Sequence, residues 1–170
     1  MPDNSNLAAI CDANVLIDYI EADEDIIREL VEYWGKVHVP DVVLDEVKQL
    51  SRAQATKLGL MVVDTPFILQ PAPGLSFPDR ACLHYVKEQG WTCIANDRLL
   101  RRECVSQGGR VVWGLEMLLL LVADKRMTDA RALGIARKIH TNNPEITTKI
   151  LEEFASKLTK KTPEKPRKSK

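Results

Sequence analysis

The sequence predicts an α/β fold in which a parallel sheet of about five short strands lies between layers of helices. Short apolar runs alternate along the chain with longer segments in which apolar residues recur at helical spacing. The runs are separated by predicted helices rather than by tight turns, and this alternation favours parallel pairing of the strands with helices on both faces.

Length and composition indicate one folded domain. The chain has 170 residues, of which 45% are hydrophobic and 28% are charged. These values are ordinary for a globular protein and exclude a collagen-like or largely disordered chain. At this length, folding buries roughly 70% of the surface of the unfolded chain. We expect a single domain over residues 1–159, with its core at about 7–125 and a C-terminal helical extension at 126–159.

Five runs of apolar residues are the predicted strands. They are short, and Gly, Pro, Asn or Asp residues follow most of them, as is typical of strands that end in turns. Pro66, Pro71 and Pro73 mark residues 64–74 as a loop. The predicted strands are residues 7–11, 37–39, 60–63, 91–95 and 110–113.

Helical periodicity fills most of the remaining chain. Asn14 and Asp25 are the predicted N-caps of the first two helices, and Gly35 is predicted to end the second. Asn143 and Pro144 are predicted to begin the last helix. The predicted helices are residues 15–20, 26–34, 40–50 with more helix up to Gly59, 77–89, 98–106, 115–125, 129–140 and 144–159.

The charges are unevenly distributed although they sum to zero. Of 24 basic and 24 acidic groups, seven basic and one acidic group lie in residues 157–170, which leaves an acidic body. A basic segment can act as an arm that attracts phosphate groups, and the other interpretation is a solvated, frayed chain end. We expect residues 160–170 to be a disordered basic tail.

Several classes of protein are disfavoured by what the sequence lacks. The first residues do not resemble a secretory signal, and the longest apolar run, 117–123, is far shorter than the roughly 20 residues that span a bilayer. We therefore expect a cytoplasmic protein without membrane contact. The four cysteines form no C-x-x-C pair and are expected to be reduced core residues, and the scattered histidines make zinc improbable. No Gly-rich nucleotide loop is present.

Two acidic side chains follow predicted strands. Asp12 comes directly after strand 7–11, and Asp97 comes shortly after strand 91–95. Binding and catalytic sites of open parallel sheets form at the carboxyl ends of the strands, so both acids are candidates for a site. Each could instead be an ordinary helix cap.

Two further acids are candidates on predicted helices. Glu46 lies four residues from both Val42 and Leu50, so it shares the apolar face of the predicted helix, where an unpaired charge is unfavourable. Alternatively, Glu46 lies at the edge of that face and reaches water. Asp79 ends the segment 76–79, which fits a capping box, although an acid in a first helical turn can also project into a cleft.

Together these four acids indicate a metal site. Carboxylates that share one cleft repel one another and need a cation to neutralise them. Ligand sets made only of oxygen suit Mg²⁺ or Mn²⁺ rather than zinc. Such ions activate water and stabilise the leaving oxygen in phosphodiester cleavage. The candidate ligands are Asp12, Glu46, Asp79 and Asp97.

The order and setting of these acids resemble those of the PIN-domain nucleases over about residues 7–125. Residues 111–114, followed by an apolar helix, are also similar to the end of bacterial PIN proteins, including VapC-like toxins. The segments that carry the resemblance around the acids are 10–18, 39–47, 75–81 and 94–101.

The resemblance implies a PIN-like three-layer fold and a metal-dependent endoribonuclease that hydrolyses RNA phosphodiester bonds. It implies that Asn14 and Asn96 support the site, with Asn14 at the position of the family's polar residue. The family usually has Thr or Ser where this chain has Ala95. By position, the implied catalytic and metal-binding residues are Asp12, Glu46, Asp79 and Asp97.

Three basic residues follow the fourth acid. Arg98, Arg101 and Arg102 are spaced so that Arg98 shares a helix face with either of the others. These side chains could hold phosphates near the metal, or they could form a solvated helix face.

The resemblance also implies partners. It indicates the toxin of a toxin–antitoxin pair, with an antitoxin protein and a second protomer as partners beside the RNA substrate. The apolar surface of the helices at 14–20 and 26–34 is expected to seat such a partner.

An alternative from another class is a catalytically weak PIN-fold protein that binds RNA or a protein. In a third interpretation the acids are only caps and surface charges.

Overall fold

The strands form one parallel sheet, as predicted. The computed structural model of the protein describes residues 7–160. Its strands are β1 (Ala8–Cys11), β2 (Lys36–Pro40), β3 (Met61–Val63), β4 (Thr92–Ile94) and β5 (Val111–Val112). Their order is β3-β2-β1-β4-β5, and all neighbours pair in parallel. β1 is therefore the central strand.

Helices flank the sheet and complete a three-layer α/β architecture. α5 contacts β1, β2 and β4, whereas α1, α2, α7 and α8 contact one another as a second group. The helices of the described residues are α1 (Ala13–Asp23), α2 (Asp25–Trp34), α3 (Asp41–Leu44), α4 (Arg52–Lys57), α5 (Phe77–Gln89), α6 (Arg98–Ser106), α7 (Gly114–Ala123), α8 (Asp129–Asn142) and α9 (Thr148–Lys160).

The core surrounds the central strand. Ala9, Ile10 and Cys11 are fully buried in β1, as expected of a strand covered on both faces. All four cysteines are buried and unpaired, so their prediction as reduced core residues is confirmed. Burial raises the pKa of the Cys11 thiol far above its usual value, which keeps that thiol protonated.

The predicted helix at 40–50 is interrupted. α3 ends at Leu44, and the backbone N–H groups of Glu46 and Val47 donate to the carbonyl groups three residues before them, at 3.1 and 2.9 Å. A new helix, α4, begins after Ser51, whose side chain and backbone form a reciprocal capping box with Gln54. This strong local cap starts a second helix, so the segment forms two short helices instead of the predicted long one.

The first helices begin earlier than predicted. Asp12, not Asn14, is the N-cap of α1, because its carboxylate accepts a hydrogen bond from the Val15 backbone at 3.0 Å. Asn14 therefore lies exposed in the first turn. The N-cap of α2 is Glu24, and Asp25 is its first helical residue. Gly35 ends α2 as predicted.

The last helix begins later than predicted. Asn143 is the C-cap of α8, and α9 starts only at Thr148. The side-chain oxygen of Asn143 accepts from the Glu145 backbone at 3.0 Å, which holds a turn that includes Pro144. Thr147 supplies the cap of α9 by accepting from the Ile150 backbone at 3.3 Å.

The apolar surface of the first two helices, which was expected to be open to a partner, is largely buried. Many apolar side chains of α1 and α2 are fully buried, including Leu16, Tyr19, Ile27 and Leu30. Others, such as Ile17, Ile20, Val31 and Tyr33, are partly buried. They pack in the core because the C-terminal helices cover this side of the molecule. α8 packs along α1, and Arg131 of α8 forms ion pairs with acidic side chains of α1 and α2.

Two predictions concern the ends of the chain and the membrane. α9 runs to Lys160, and the predicted disorder beyond it falls outside the described residues. Within residues 7–160, no helix is both long and apolar enough to cross a bilayer.

Two glycines, one at a helix end and one inside a helix, allow a matched test of the left-handed cap of α5. Gly90 ends α5 with φ +70°, and an added Cβ meets only open space, so Gly90→Ala suffers only from its backbone conformation. We expect a loss of about 1 kcal/mol. Gly134 lies inside α8 with similar open space, and Gly134→Ala should gain about 0.5–1 kcal/mol. Urea unfolding measures both changes, and a stabilising Gly90→Ala would contradict the left-handed cap.

Candidate active site

The candidate site lies where the strand order reverses. The chain builds the sheet outward from β1 toward β3 and then returns to the other side of β1 to form β4. Asp12 directly follows β1, and its backbone N–H donates to the Ile94 carbonyl at the end of β4, at 3.2 Å. Asp97 follows β4 three residues after Ile94. In open parallel sheets, ligands bind beyond the carboxyl ends of the strands at such a reversal of strand order.

Asp12 is a buried carboxylate that caps α1. Its side chain is only 3% exposed. The pKa of Asp12 is raised to about 7, mainly by burial and also by the charges of Asp79 and Asp97. Hydrogen bonds from the backbone of Val15 and Asn96 act in the opposite direction and lower the pKa. The fold therefore holds this carboxylate in a place where its negative charge is unfavourable.

Asp97 and Asp79 are half-buried acids that also take part in caps. Asp97 is the N-cap of α6 and accepts from the Leu100 backbone at 2.7 Å. Ser76 caps α5 by accepting from the backbone of Asp79 at 3.2 Å. Burial raises the pKa of Asp79, contacts with Ser76 lower it, and the charge of Asp97 raises it. Asp79 thus belongs to the predicted cap and also lies within the electrostatic reach of the site.

Glu46 is not brought to these three acids in the way the sequence predicted. Because α3 ends before it, Glu46 lies in a turn and is exposed, so its expected place on an apolar helix face is wrong. The acidic charges that most raise the pKa of Asp12 are those of Asp79 and Asp97. The role of Glu46 as a metal ligand stays a prediction of the resemblance.

Asn96 connects the site to the rest of the molecule. Its backbone contributes a hydrogen bond that lowers the pKa of Asp12. Its side chain donates to Asp18 at 3.1 Å and accepts from the Gly114 backbone at 3.0 Å. Asn96, which follows β4, therefore joins α1 to the start of α7, and its role in supporting a metal site stays a prediction of the resemblance.

Asp18 was missed by the sequence analysis. It is 7% exposed, and the side-chain amide of Asn143 donates to both of its oxygens, at 3.2 and 3.1 Å. Burial raises the pKa of Asp18 to about 6. Its position could have revealed it, since Asp18 is three residues from Val15 and four from Ala22, both buried in α1. Asp18, rather than Glu46, is thus the acid that lies on the apolar face of its helix.

The three arginines differ in their surroundings. The guanidinium of Arg101 lies 3.6 Å from the centre of the Trp113 ring, and its Nε donates to the Asn96 carbonyl at 3.4 Å. Burial lowers the pKa of Arg101, whereas the nearby charge of Asp97 raises it. Arg98 and Arg102 are exposed. Arg101 is therefore the basic residue that is held beside the acids.

The donor chemistry of the site fits a hard divalent cation. The side chains of Asp12, Asp79 and Asp97 offer carboxylate oxygens, which Mg²⁺ and Mn²⁺ prefer. Only Oδ1 of Asp12 and Oδ1 of Asp97 form the cap bonds. Within the described part of the chain, no group of three or more His, Cys, Asp or Glu side chains is arranged so that it could hold a metal ion by itself. Mg²⁺ commonly binds through one or two carboxylates and completes its coordination with water and substrate phosphate.

Comparisons with known proteins leave the family open. No family model matches the sequence, and no curated protein matches it either. The fold, the acids at the strand ends and the resemblance of their sequence motifs are therefore what indicates a function.

Removing the buried charge of Asp12 should stabilise the protein at high pH. Because the folded pKa of about 7 exceeds the unfolded value of about 3.9, wild-type stability should fall as the pH rises from about 4 to 7. Asp12→Asn keeps a good N-cap. At pH 8 in EDTA we expect it to exceed wild type by up to about 4 kcal/mol, with a smaller difference at pH 5.

Urea unfolding at both pH values, with exposed Asp45→Asn as the control, measures this difference. An equal effect of Asp12→Asn at pH 5 and pH 8 would show that Asp12 does not titrate in this range.

Proposed function

We propose that this protein is a Mg²⁺- or Mn²⁺-dependent endoribonuclease of the PIN type. The observation that carries the proposal is the group formed by Asp12, Asp79 and Asp97 at the point where the strand order reverses. Strongly shifted pKa values in a crevice are typical of functional sites. The segments that resemble PIN nucleases contribute these same acids, and the resemblance supplies RNA as the substrate class.

The acids would bind the cation because their own charges are poorly neutralised. Burial, and to a smaller extent the charges of neighbouring acids, raise the pKa values of Asp12 and Asp79, so a cation between them would favour the ionised forms. A divalent ion bound here would supply an activated water and a counter-charge for phosphate oxygens. The helix caps hold Asp12 and Asp97 in place, which reduces the reorganisation that binding requires.

Arg101 would hold the RNA backbone beside the acids. Its stacking on Trp113 and its bond to the Asn96 carbonyl fix the guanidinium. A guanidinium can donate two parallel hydrogen bonds to a phosphate. Arg98 and Arg102, which are exposed, would add a more general attraction for RNA.

The biological setting is proposed from the resemblance. We propose that the protein is a cytoplasmic toxin held in check by an antitoxin protein, and that it forms a homodimer. Exposed apolar side chains support binding to another protein, because Phe67 and Ile68 are both almost entirely accessible in the loop after β3.

A second candidate function is a catalytically weak PIN-fold protein that binds RNA or a protein partner. It is favoured by Ala95, which is fully buried where the family usually has a hydroxyl, and by the exposed position of Glu46. This candidate predicts that wild type binds RNA but cleaves none with either metal.

Metal binding and cleavage should be lost together. We expect millimolar Mn²⁺ to raise the melting temperature of wild type, because a ligand that binds only the folded state stabilises it. Asp97→Asn should lose this rise and lower RNA cleavage by about 100-fold or more. Asp45→Asn, an exposed acid, is the matched control and should behave as wild type.

The same assays decide the role of Glu46. If Glu46 binds the metal, Glu46→Gln should weaken the Mn²⁺-dependent rise and slow the cleavage. Wild-type behaviour of Glu46→Gln would remove this residue from the site. Absence of both the Mn²⁺ effect and cleavage in wild type would refute the nuclease proposal.

Arg101 and Arg102 should differ in RNA binding. Arg101→Ala, tested with a single-stranded RNA in the Asp97→Asn background to prevent cleavage, should weaken binding about 10-fold and reduce the salt slope by about one. Arg102→Ala on the same helix should change binding less, because its side chain is exposed and unanchored by Trp113. Titrations at several salt concentrations measure both, and equal effects would contradict a specific role of Arg101.

A further inference from the structure

We infer that Asp18 is a positioning residue through which the C-terminal helices hold the active-site turn at 95–97. This inference rests on the proposed function. Asp12 and Asp18 are the buried acids of the described residues, and only Asp12 has a part in the proposed metal site. The network around Asp18 runs from Asn143, between α8 and α9, to Asn96, directly before Asp97.

The contacts of Asp18 are directed and complementary. Its Oδ2 accepts from the amide of Asn96 at 3.1 Å and from the amide of Asn143 at 3.1 Å, and its Oδ1 accepts from Asn143 at 3.2 Å. An ionised carboxylate can only accept hydrogen bonds, so it suits two amide donors on opposite sides. The residues that it joins are 125 and 78 positions away in the chain.

The effect on the site passes through Asn96. With its amide group held by Asp18, the side-chain oxygen of Asn96 accepts from the Gly114 backbone at 3.0 Å. Tyr19, the neighbour of Asp18, is fully buried and donates to the Gly114 carbonyl at 2.7 Å. The turn that carries Asp97 is thus held against the start of α7 by contacts from α1.

The close approach at Gly114 leaves little freedom to this arrangement. A Cβ at position 114 would lie 3.0 Å from the side-chain oxygen of Asn96. The backbone of Asn96 also contacts two groups of the site, by accepting from Arg101 at 3.4 Å and by hydrogen bonding that lowers the pKa of Asp12. A rotation of Asn96 would therefore reach both the acid group and the guanidinium.

A purely structural role would not require a charge here. Asp18 lies between buried residues of α1, where an apolar side chain would pack without losing hydration. Burial is the main reason that the pKa of Asp18 is raised to about 6, although the hydrogen bonds from Asn143 and Asn96 act to lower it. These hydrogen bonds offset part of the free-energy cost of burying the carboxylate.

The experiment removes each end of the network in the full chain. Asp18→Asn replaces an acceptor oxygen by a donor that faces amide donors, and Asn143→Ala removes the link to α8 and α9. Asn142→Ala, an exposed neighbour at the end of α8, is the matched control. Circular dichroism and thermal melting identify variants that fail to fold, and Asn143→Ala carries the test if Asp18→Asn is one of them.

Three readouts are compared with those of wild type. In Asn143→Ala we expect amide chemical-shift changes at Asn96, Asp97 and Gly114, about 10-fold weaker Mn²⁺ binding, and a kcat for RNA cleavage about 10-fold lower with KM changed less than about twofold. Asn142→Ala should leave all three unchanged. A lower stability with normal shifts, Mn²⁺ affinity and kcat would show that the network is only structural and would overturn the inference.

Failure of the inference and failure of the proposed function are distinguishable. Wild type that binds Mn²⁺ and cleaves RNA, together with an equally active Asn143→Ala, refutes only the role of Asp18. Wild type that neither binds Mn²⁺ nor cleaves RNA refutes the proposed function, and the positioning role is refuted with it.

Discussion

The buried carboxylate of Asp12 is the constraint on which the carboxyl-end edge of the sheet depends. It follows the central strand directly, so it has neighbours on both sides and little access to water. The fold offsets part of its charge with the N-terminus of α1 and with backbone hydrogen bonds. Two further acids nearby act in the opposite direction and raise its pKa. An arrangement that stability alone would not favour is typical of a site that serves a function.

The second buried acid shows how this edge is kept in place. Asp18 lies on the same helix as the Asp12 cap, but it contacts amides rather than other acids. One helix thereby presents a charge that lacks a neutralising partner and a charge that is well hydrogen-bonded. In the proposed site the first would bind a cation, and the second would hold the surrounding backbone.

The fold could be predicted from local signals wherever those signals decide the structure. α5 runs over the predicted residues because Ser76 caps its start and Gly90 ends it, and both residues lie next to the helix in the sequence. The sequence also located Asp12 and Asp97, because acids that follow apolar strands are visible without any tertiary knowledge. The parallel sheet follows from the alternation of strands and helices.

The errors arose where a distant partner determines the role of a side chain. Asn143 was predicted to be an N-cap, but its side-chain amide donates to Asp18, which lies 125 positions earlier in the chain. Glu46 is an exception with a local cause: an apolar helix face was one of its two expected settings because two short helices resembled one long helix. Asp18 was overlooked because its partners, Asn96 and Asn143, come together only in the folded molecule. Periodicity shows which face of a helix is buried, but not which polar groups meet there.

The attachment of α8 along α1 changes where this protein can be divided. The motifs end near residue 125, which suggests a compact unit that could be cut there. However, Ala132, Ala136 and Ile139 of α8 are buried in the same core as the sheet, and Arg131 pairs with Asp23 of α1. A fragment that ends at residue 125 would expose a continuous apolar surface and leave Asp18 without one of its two amide donors. The boundary of the sequence motif is therefore not a boundary of the folding unit.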